Sequence, residues 1–189
     1  MQRRTMMTGS VLLALAGCAS PQPDLYTLAA VPGAVQPGGP RSVMLRGIGL
    51  ARYLERPEIV RSSEDYRLDI RANAWWGEPL GAMISRILVQ ELTQRLPASS
   101  VFSEGGAISA EGETSVEINL QRMDSDRTGM VLLRAQIAVQ SRRAGGRGLV
   151  ENFATQVAPG AGDLTSAVAA MSLGLGQLAD KIAVMLQTA

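Results

Sequence analysis

The chain has 189 residues, 46% of them apolar, and its 18 basic and 17 acidic side chains leave a formal net charge of +1. So even a balance excludes the basic footprint of a nucleic-acid binder and strong electrostatic steering of a charged partner. Histidine is absent and cysteine occurs once, which excludes Ser-His-Asp and Cys-His catalysis, His-bearing zinc sites, a His-based pH switch and an internal disulfide. No GxGxxG or GxxxxGK[ST] loop occurs either, so nucleotide hydrolysis, if any, belongs to a partner.

At the N-terminus, Met1 to Arg4 is a cationic start, Val11 to Ala16 is a short apolar run, and Leu15-Ala16-Gly17 leads into the single cysteine, Cys18. The run is too short to cross about 30 Å of hydrocarbon, which needs ~20 residues, so residues 1–17 are expected to be a cleaved signal peptide. The order resembles the lipobox of bacterial lipoproteins, in which diacylglycerol is joined to the cysteine sulfur before cleavage and the new amine is commonly acylated. That resemblance implies a mature chain beginning at Cys18, with two or three acyl chains; one alone binds a bilayer only marginally, at roughly 0.8 kcal/mol per buried CH₂. The competing reading is a buried or free thiol behind an ordinary signal peptide. Ala19 stands where such lipoproteins carry an inner-membrane retention Asp, which implies the outer membrane, on its periplasmic face. Loss of Arg3 and Arg4 takes the formal charge from +1 to −1.

Residues 18–41 are expected to be the lipidated cysteine and a spacer, because Pro21, Pro23, Pro32, Pro37 and Pro40 with Gly38 and Gly39 prevent an amphipathic period. The Leu25-Tyr26-Thr27-Leu28 island can pair as an edge strand, in which case the free tether shortens to Ala19–Asp24, roughly 20 Å at full extension. The remaining 42–189 suits one domain, which at this size buries ~70% of its unfolded surface.

Within it, Val43, Leu45, Ile48 and Leu50 alternate with a slip at Gly47, predicting a strand with a bulge over Ser42–Leu50. Pro57 predicts a turn at Glu55–Glu58. Tyr66, Leu68 and Ile70 alternate with charged residues and predict a half-buried strand. Residues Asn73–Leu80 then open a first helix, with Glu78 and Pro79 suited to its start and Pro97 to its end; its apolar stripe is broken only by Glu91. A short strand at most is expected over Ser99–Glu104 and a flexible loop over Gly105–Gly112. Thr114–Met123, Met130–Gln140 and Leu149–Val157 predict an antiparallel meander joined by turns. Asp163 is placed to cap a last helix whose stripe runs through Leu164, Val168, Met171, Leu175, Leu178, Ile182 and Met185. Gly174 and Gly176 in that helix predict either close packing or a kink. The whole is an α+β fold, two helices packed on one face of a mostly antiparallel sheet.

The lipobox, the Tyr-Thr-Leu island, Tyr53-Leu54-x-Arg56-Pro57-x-Ile59-Val60 and Trp76-x-Glu78-Pro79-Leu80 leading to Gln94-Arg95-Leu96 together resemble PqiC-type ABC-transport auxiliary lipoproteins. The resemblance covers nearly the whole chain, with Ala51 where the family often has proline and Trp75 as an additional tryptophan. It implies a non-enzymatic, outer-membrane lipoprotein of an intermembrane lipid-transport system, working with a periplasmic MCE-domain protein and inner-membrane components.

Several residues carry two readings. Tyr53, Leu54, Arg56 and Pro57 form either a partner-binding patch or a structural corner with Tyr53 and Leu54 turned inward. Trp75 and Trp76 make a membrane or partner contact, or else one ring plugs the core and the other stays partly exposed. Asp124-Ser125-Asp126 reads as hairpin-turn chemistry rather than a metal site. Arg142, Arg143 and Arg147 form a solvated loop or touch anionic headgroups or an acidic partner. The last helix packs in the core or mediates homo-oligomerisation. The function expected first is docking of a lipid-transport conduit onto the outer membrane through Cys18; no cofactor or metal is expected. The alternative is a lipid carrier holding an acyl chain in a pocket lined by Met83, Ile87, Met171 and Leu175.

Overall fold

Alternation of apolar and polar residues builds the centre of the sheet. In β6 (Thr114–Ser125) and β7 (Val131–Ser141), Val116, Ile118, Leu120, Leu133, Ile137 and Val139 turn one way and are buried, while Asn119, Arg134 and Gln136 turn the other way into solvent. With β8 (Gly148–Val157) these strands form the expected antiparallel meander, in register from Ser125↔Val131 and Val131↔Val157. A computed structural model describes residues 22–107, 110–143, 145–146 and 148–188 of the chain. Cys18 with its lipobox, the leader before it, and Arg147 lie outside the described residues.

The rest of the sheet adds parallel pairings to the expected antiparallel ones, so that the sheet as a whole is open and mixed. Strand β2 (Ser42–Leu50) lies parallel to β6 and to β5 (Ser100–Ser103), and the register slips between Leu45 and Ile48, at the expected bulge. Strand β3 (Glu58–Ser62) is antiparallel to β4 (Asp69–Trp76) and meets β6 in parallel at Ser62↔Ser125; β1 (Asp24–Tyr26) adds to β4 in parallel. Parallel neighbours need long crossovers, and the return from β2 to β5 is carried through α1 (Leu80–Arg95). Among the described residues the sheet has eight strands, with β5, β2, β6, β7 and β8 side by side and β3, β4 and β1 attached at the C-terminal end of β6.

Two boundaries shift. The strand predicted from Tyr66 starts only at Asp69, because Asp65 and Tyr66 both take positive φ (58° and 59°) and hold a loop in which Tyr66 is fully exposed. Residues Asn73–Trp76, predicted to open the helix, are the end of β4 instead. The tryptophans suit a strand, and the Trp76 N–H donates to the Pro57 carbonyl at 2.7 Å.

Both helices cover the same face, α1 over β2 and β5, and α2 (Leu164–Thr188) over β7 and β8. Helix α1 starts after Pro79 and stops before Pro97; α2 is capped by Asp163, whose Oδ1 accepts the Ser166 N–H at 2.7 Å. Helix α2 is long and apolar enough to cross a bilayer, yet its stripe from Val168 to Leu186 is buried in the domain. Met83, Ile87, Met171 and Leu175, named for an acyl-chain pocket, are each at most 2% exposed in one continuous core. Depressions lie elsewhere among the described residues, at the end of the sheet and on its outer face.

The largest departure is in residues 27–40, expected as spacer. They form a strap along the groove between the helices. The Leu28 side chain is 2% exposed, the Ala29 N–H donates to Ser172 Oγ at 3.2 Å, and the Val31 N–H donates to Glu91 Oε1 at 2.8 Å. Gly33 exchanges two bonds with the Gln94 amide, and the Gln36 N–H donates to the Arg95 carbonyl at 2.7 Å. Arg95, only 1% exposed, donates to Asp180 Oδ1 at 2.6 Å, to the carbonyls of Val31 and Gly176 at 3.0 Å each, and to that of Glu91 at 3.3 Å. A Cβ built on Gly176 would sit 3.0 Å from the Val31 Cβ, so this glycine serves close packing; α2 runs on through it.

Two predictions follow from the strap. A Cβ on Gly33 would lie 2.3 Å from the Arg95 guanidinium, which cannot yield without losing its carbonyl partners. Gly33→Ala is therefore expected to destabilise the domain by about 1–3 kcal/mol in urea unfolding. Glu91 is 1% exposed; burial pushes its carboxyl from 4.5 up to about 7, with the Val31 N–H and Arg95 opposing and Asp180 assisting. The folded state thus binds this proton more tightly than the unfolded chain, and stability falls as pH rises from 4.5 to about 7. Unfolding curves across that window should show a loss on the order of 1–3 kcal/mol, and Glu91→Gln should flatten it.

Candidate functional site

The segment after β2 makes a sharp corner. A 3-10 turn over Arg52–Leu54 turns Leu54 into the core, 4% exposed, and leaves Tyr53 half-buried. The Tyr53 hydroxyl donates to Asp124 Oδ2 at 2.8 Å, the Ser63 hydroxyl to the same oxygen at 2.6 Å, and Arg122 Nε to Asp124 Oδ1 at 2.8 Å. Burial first, then the Asp124 carboxylate, pushes the Tyr53 hydroxyl up to about 12, so it stays a donor at any physiological pH. This corrects the turn reading of Asp124, which is fully buried near the end of β6 and ties the corner to the sheet. Asp126 does hold the hairpin, accepting the Thr128 and Met130 N–H groups at 2.8 and 3.0 Å. Local spacing could not reveal the role of Asp124, because Ser63 and Tyr53, the partners that tie it to the corner, lie 61 and 71 residues away.

The other predicted site residues divide between the two faces of β4. Trp76 points inward and is 7% exposed, beneath the start of α1. Trp75 is half-buried on the outer face, its Nε1–H donating to the Ala72 carbonyl at 2.9 Å. Across the ladder it stands level with Leu25 on β1 and Glu58 on β3. Glu58 accepts from Arg56 Nε at 3.3 Å, and Pro57 is exposed beside them. The structure therefore sets Trp75 and, through Glu58, Arg56 along one outward row, leaves Pro57 exposed beside it and withdraws Tyr53, Leu54 and Trp76 from it. Leu25, 68% exposed, completes the row. The signal for it was the period of two in the island, which turns Tyr26 and Leu28 inward and so must turn Leu25 out.

The arginine loop is partly accounted for: Arg142 pairs with Glu111 at 2.8 Å and Arg143 with Glu113 at 3.1 Å. Among the described residues no group of three His, Cys, Asp or Glu side chains is placed to hold a metal ion. What the row offers chemically is an apolar and aromatic strip with a neighbouring ion pair, the composition of a docking surface rather than of a reaction centre.

The corner's stability rests on Asp124. Tyr53→Phe should cost about 1 kcal/mol, the net value of one hydrogen bond, whereas Asp124→Ala should cost about 3–5 kcal/mol, because it takes the buried acceptor from Tyr53, Ser63 and Arg122 at once; thermal melts of the two variants read the difference.

The fold is shared with solved structures at low identity. It superposes on the crystal structure of an uncharacterized protein with a TM-score of 0.73 at 16% identity, covering 87% of this chain and 99% of that one. A Xanthomonas campestris protein gives a TM-score of 0.67 at 17% identity, covering 87% and 95%. No curated protein matches the sequence. The family model described as the ABC-type transport auxiliary lipoprotein component matches residues 26–183, a range that begins at the last residue of β1 and takes in the strap, the corner and nearly all of α2. The chain belongs to that family.

Proposed function

We propose that this protein is the outer-membrane-anchored docking subunit of an MCE-type intermembrane lipid-transport system, held by acyl chains on Cys18 and meeting its periplasmic partner through the Leu25–Trp75 row and the neighbouring Arg56 and Pro57. The family's accessory role in ABC-type transport, without catalysis, is the ground on which this more specific reading stands. The observation that carries it is the filled interior. Met83, Ile87, Met171 and Leu175 close on one another where a carrier would need a chamber, so the domain acts through its surface and not by holding cargo.

The outward row supports the same reading. Strand β1 is only three residues long and stands at the sheet's edge, where Leu25 and the half-buried Trp75 present apolar area that is left open among the described residues. Aromatic residues and arginine are enriched at protein interfaces, and burying Leu25 and Trp75 together is worth several kcal/mol at ~25 cal/mol per Å². The inner-membrane components of the system are reached through the MCE-domain partner.

The test is co-purification from detergent extracts. The unmodified lipoprotein should retain an MCE-domain protein, and Leu25→Asp with Trp75→Ala should lower the yield at least about tenfold, the effect of ~1.4 kcal/mol, with the thermal melt little changed. Cys18→Ala should move the protein out of the outer-membrane fraction. Retention of no MCE-domain protein, or an undiminished yield from the double variant, would count against this reading.

A further inference from the structure

The loop at the start of β4 is held in a costly conformation. Asp65 and Tyr66 are consecutive non-glycine residues at positive φ, and a backbone so placed persists only where the surroundings over-determine it. Here they do. Glu64 accepts the Arg127 N–H at 2.9 Å and pairs with Arg122 at 3.2 Å, while Asp65 pairs with Arg127 at 3.3 Å. The result is a tyrosine pushed wholly into solvent, with Leu68 39% exposed behind it.

This loop overhangs a cleft of about 1180 Å³ between the β3–β4 loop, the β6–β7 turn and the segment leading into α2. Five carboxylates line it, each engaged: Glu64 and Asp65 as above, Asp69 by Arg61, Asp126 by its turn, and Asp163 as a helix cap. Among the arginines lining it, Arg67 and Arg71 are exposed and make no ion pair among the described residues. The uncommitted groups at this end are thus two cations, an aromatic ring and a leucine.

The chain also enters the body from this side. Strand β1 runs parallel to β4 with Asp24 opposite Ala74, so Gln22 and Pro23 enter it from the side of Asp69 and the loop. Pro23 has no N–H to extend the ladder beyond Asp24. From Cys18 to Asp24 the reach is about 20 Å, and from Ala74 back to Leu68 along β4 it is also about 20 Å.

We propose that Tyr66, Arg67, Leu68 and Arg71 form a bilayer-contact surface, in which the two arginines meet phospholipid phosphodiesters while Tyr66 and Leu68 enter the interfacial zone. The inference rests on the reading of Cys18 as the lipid anchor. The tether then delivers this end of the domain to the membrane and leaves the rest of the sheet free for a partner.

The test uses the full-length mature lipoprotein in vesicles of phosphatidylethanolamine and phosphatidylglycerol containing a headgroup-quencher lipid. Cys18 is the only native cysteine, so once it is acylated a thiol introduced by Tyr66→Cys is the single labelling site. Val150→Cys, 75% exposed and near the opposite end of β8, is the control. A fluorophore at position 66 should be strongly quenched and one at 150 should not, and Arg67→Gln with Arg71→Gln should weaken the contact about fivefold per arginine, with the melt unchanged. Equal quenching at the two positions, quenching at neither, or quenching at 66 that survives both arginine substitutions overturns the surface, provided mass spectrometry finds the acyl groups on Cys18. Their absence overturns the anchor reading itself.

Discussion

The guanidinium of Arg95 is withdrawn from water and still finds four separate acceptors: a carboxylate on α2, a carbonyl on α2, a carbonyl one turn earlier on α1 and a carbonyl of the strap. Removing such a charge from solvent costs several kcal/mol, which only a nearly complete set of hydrogen bonds can offset. That requirement fixes the neighbourhood. Gly33 and Gly176 lack side chains because the guanidinium and Val31 occupy the space. Glu91 stands one turn before Arg95 because its Oε1 holds the Val31 N–H, and its second oxygen is left without a partner. The raised pKa of Glu91 is the consequence of that burial: withdrawal from water disfavours its carboxylate, and the Val31 N–H and the Arg95 cation offset only part of the cost. Helix pairing and strap attachment are therefore one interaction rather than two.

Much of this architecture was legible in the residues. The three-strand meander, the bulge at Gly47, both helices and the Asp163 cap all follow from patterns confined to a dozen residues, where period and capping chemistry act locally. Glu91 was visible as a polar break in an apolar stripe, a signal that something polar must meet it. What met it was not visible, because the strap looks like a spacer by composition. Its prolines and glycines exclude helix and sheet, and a stretch with neither can still be bound through its own N–H and carbonyl groups to side chains of a distant helix. The parallel strands were hidden for a related reason. Pairing direction depends on which distant strand is adjacent, and β2 reaches β5 only through α1. The predicted corner was half legible: its aromatic residues were the right ones to examine, but the alternation that sends Trp75 out and Trp76 in depended on recognising β4 as a strand through to its end.

Strand β1 and the strap are consecutive. Asp24–Tyr26 pairs with β4 to complete the outward row, and the next residues pass directly under the side chains of Met83, Ser172, Glu91 and Arg95. With an anchor at Cys18, any pull on the tether runs first along β1. Strand β1 is parallel to β4, so a pull directed along the strand axis loads its hydrogen bonds together in shear instead of one at a time. Beyond it the load passes to the strap, whose bonds to both helices are backed by the Arg95 clamp. Retention at a membrane and presentation of the Leu25–Trp75 row thus depend on the same short ladder. A chain of this family that lost the clamp would loosen the Leu25–Trp75 row as well, since the strap follows β1 without a break.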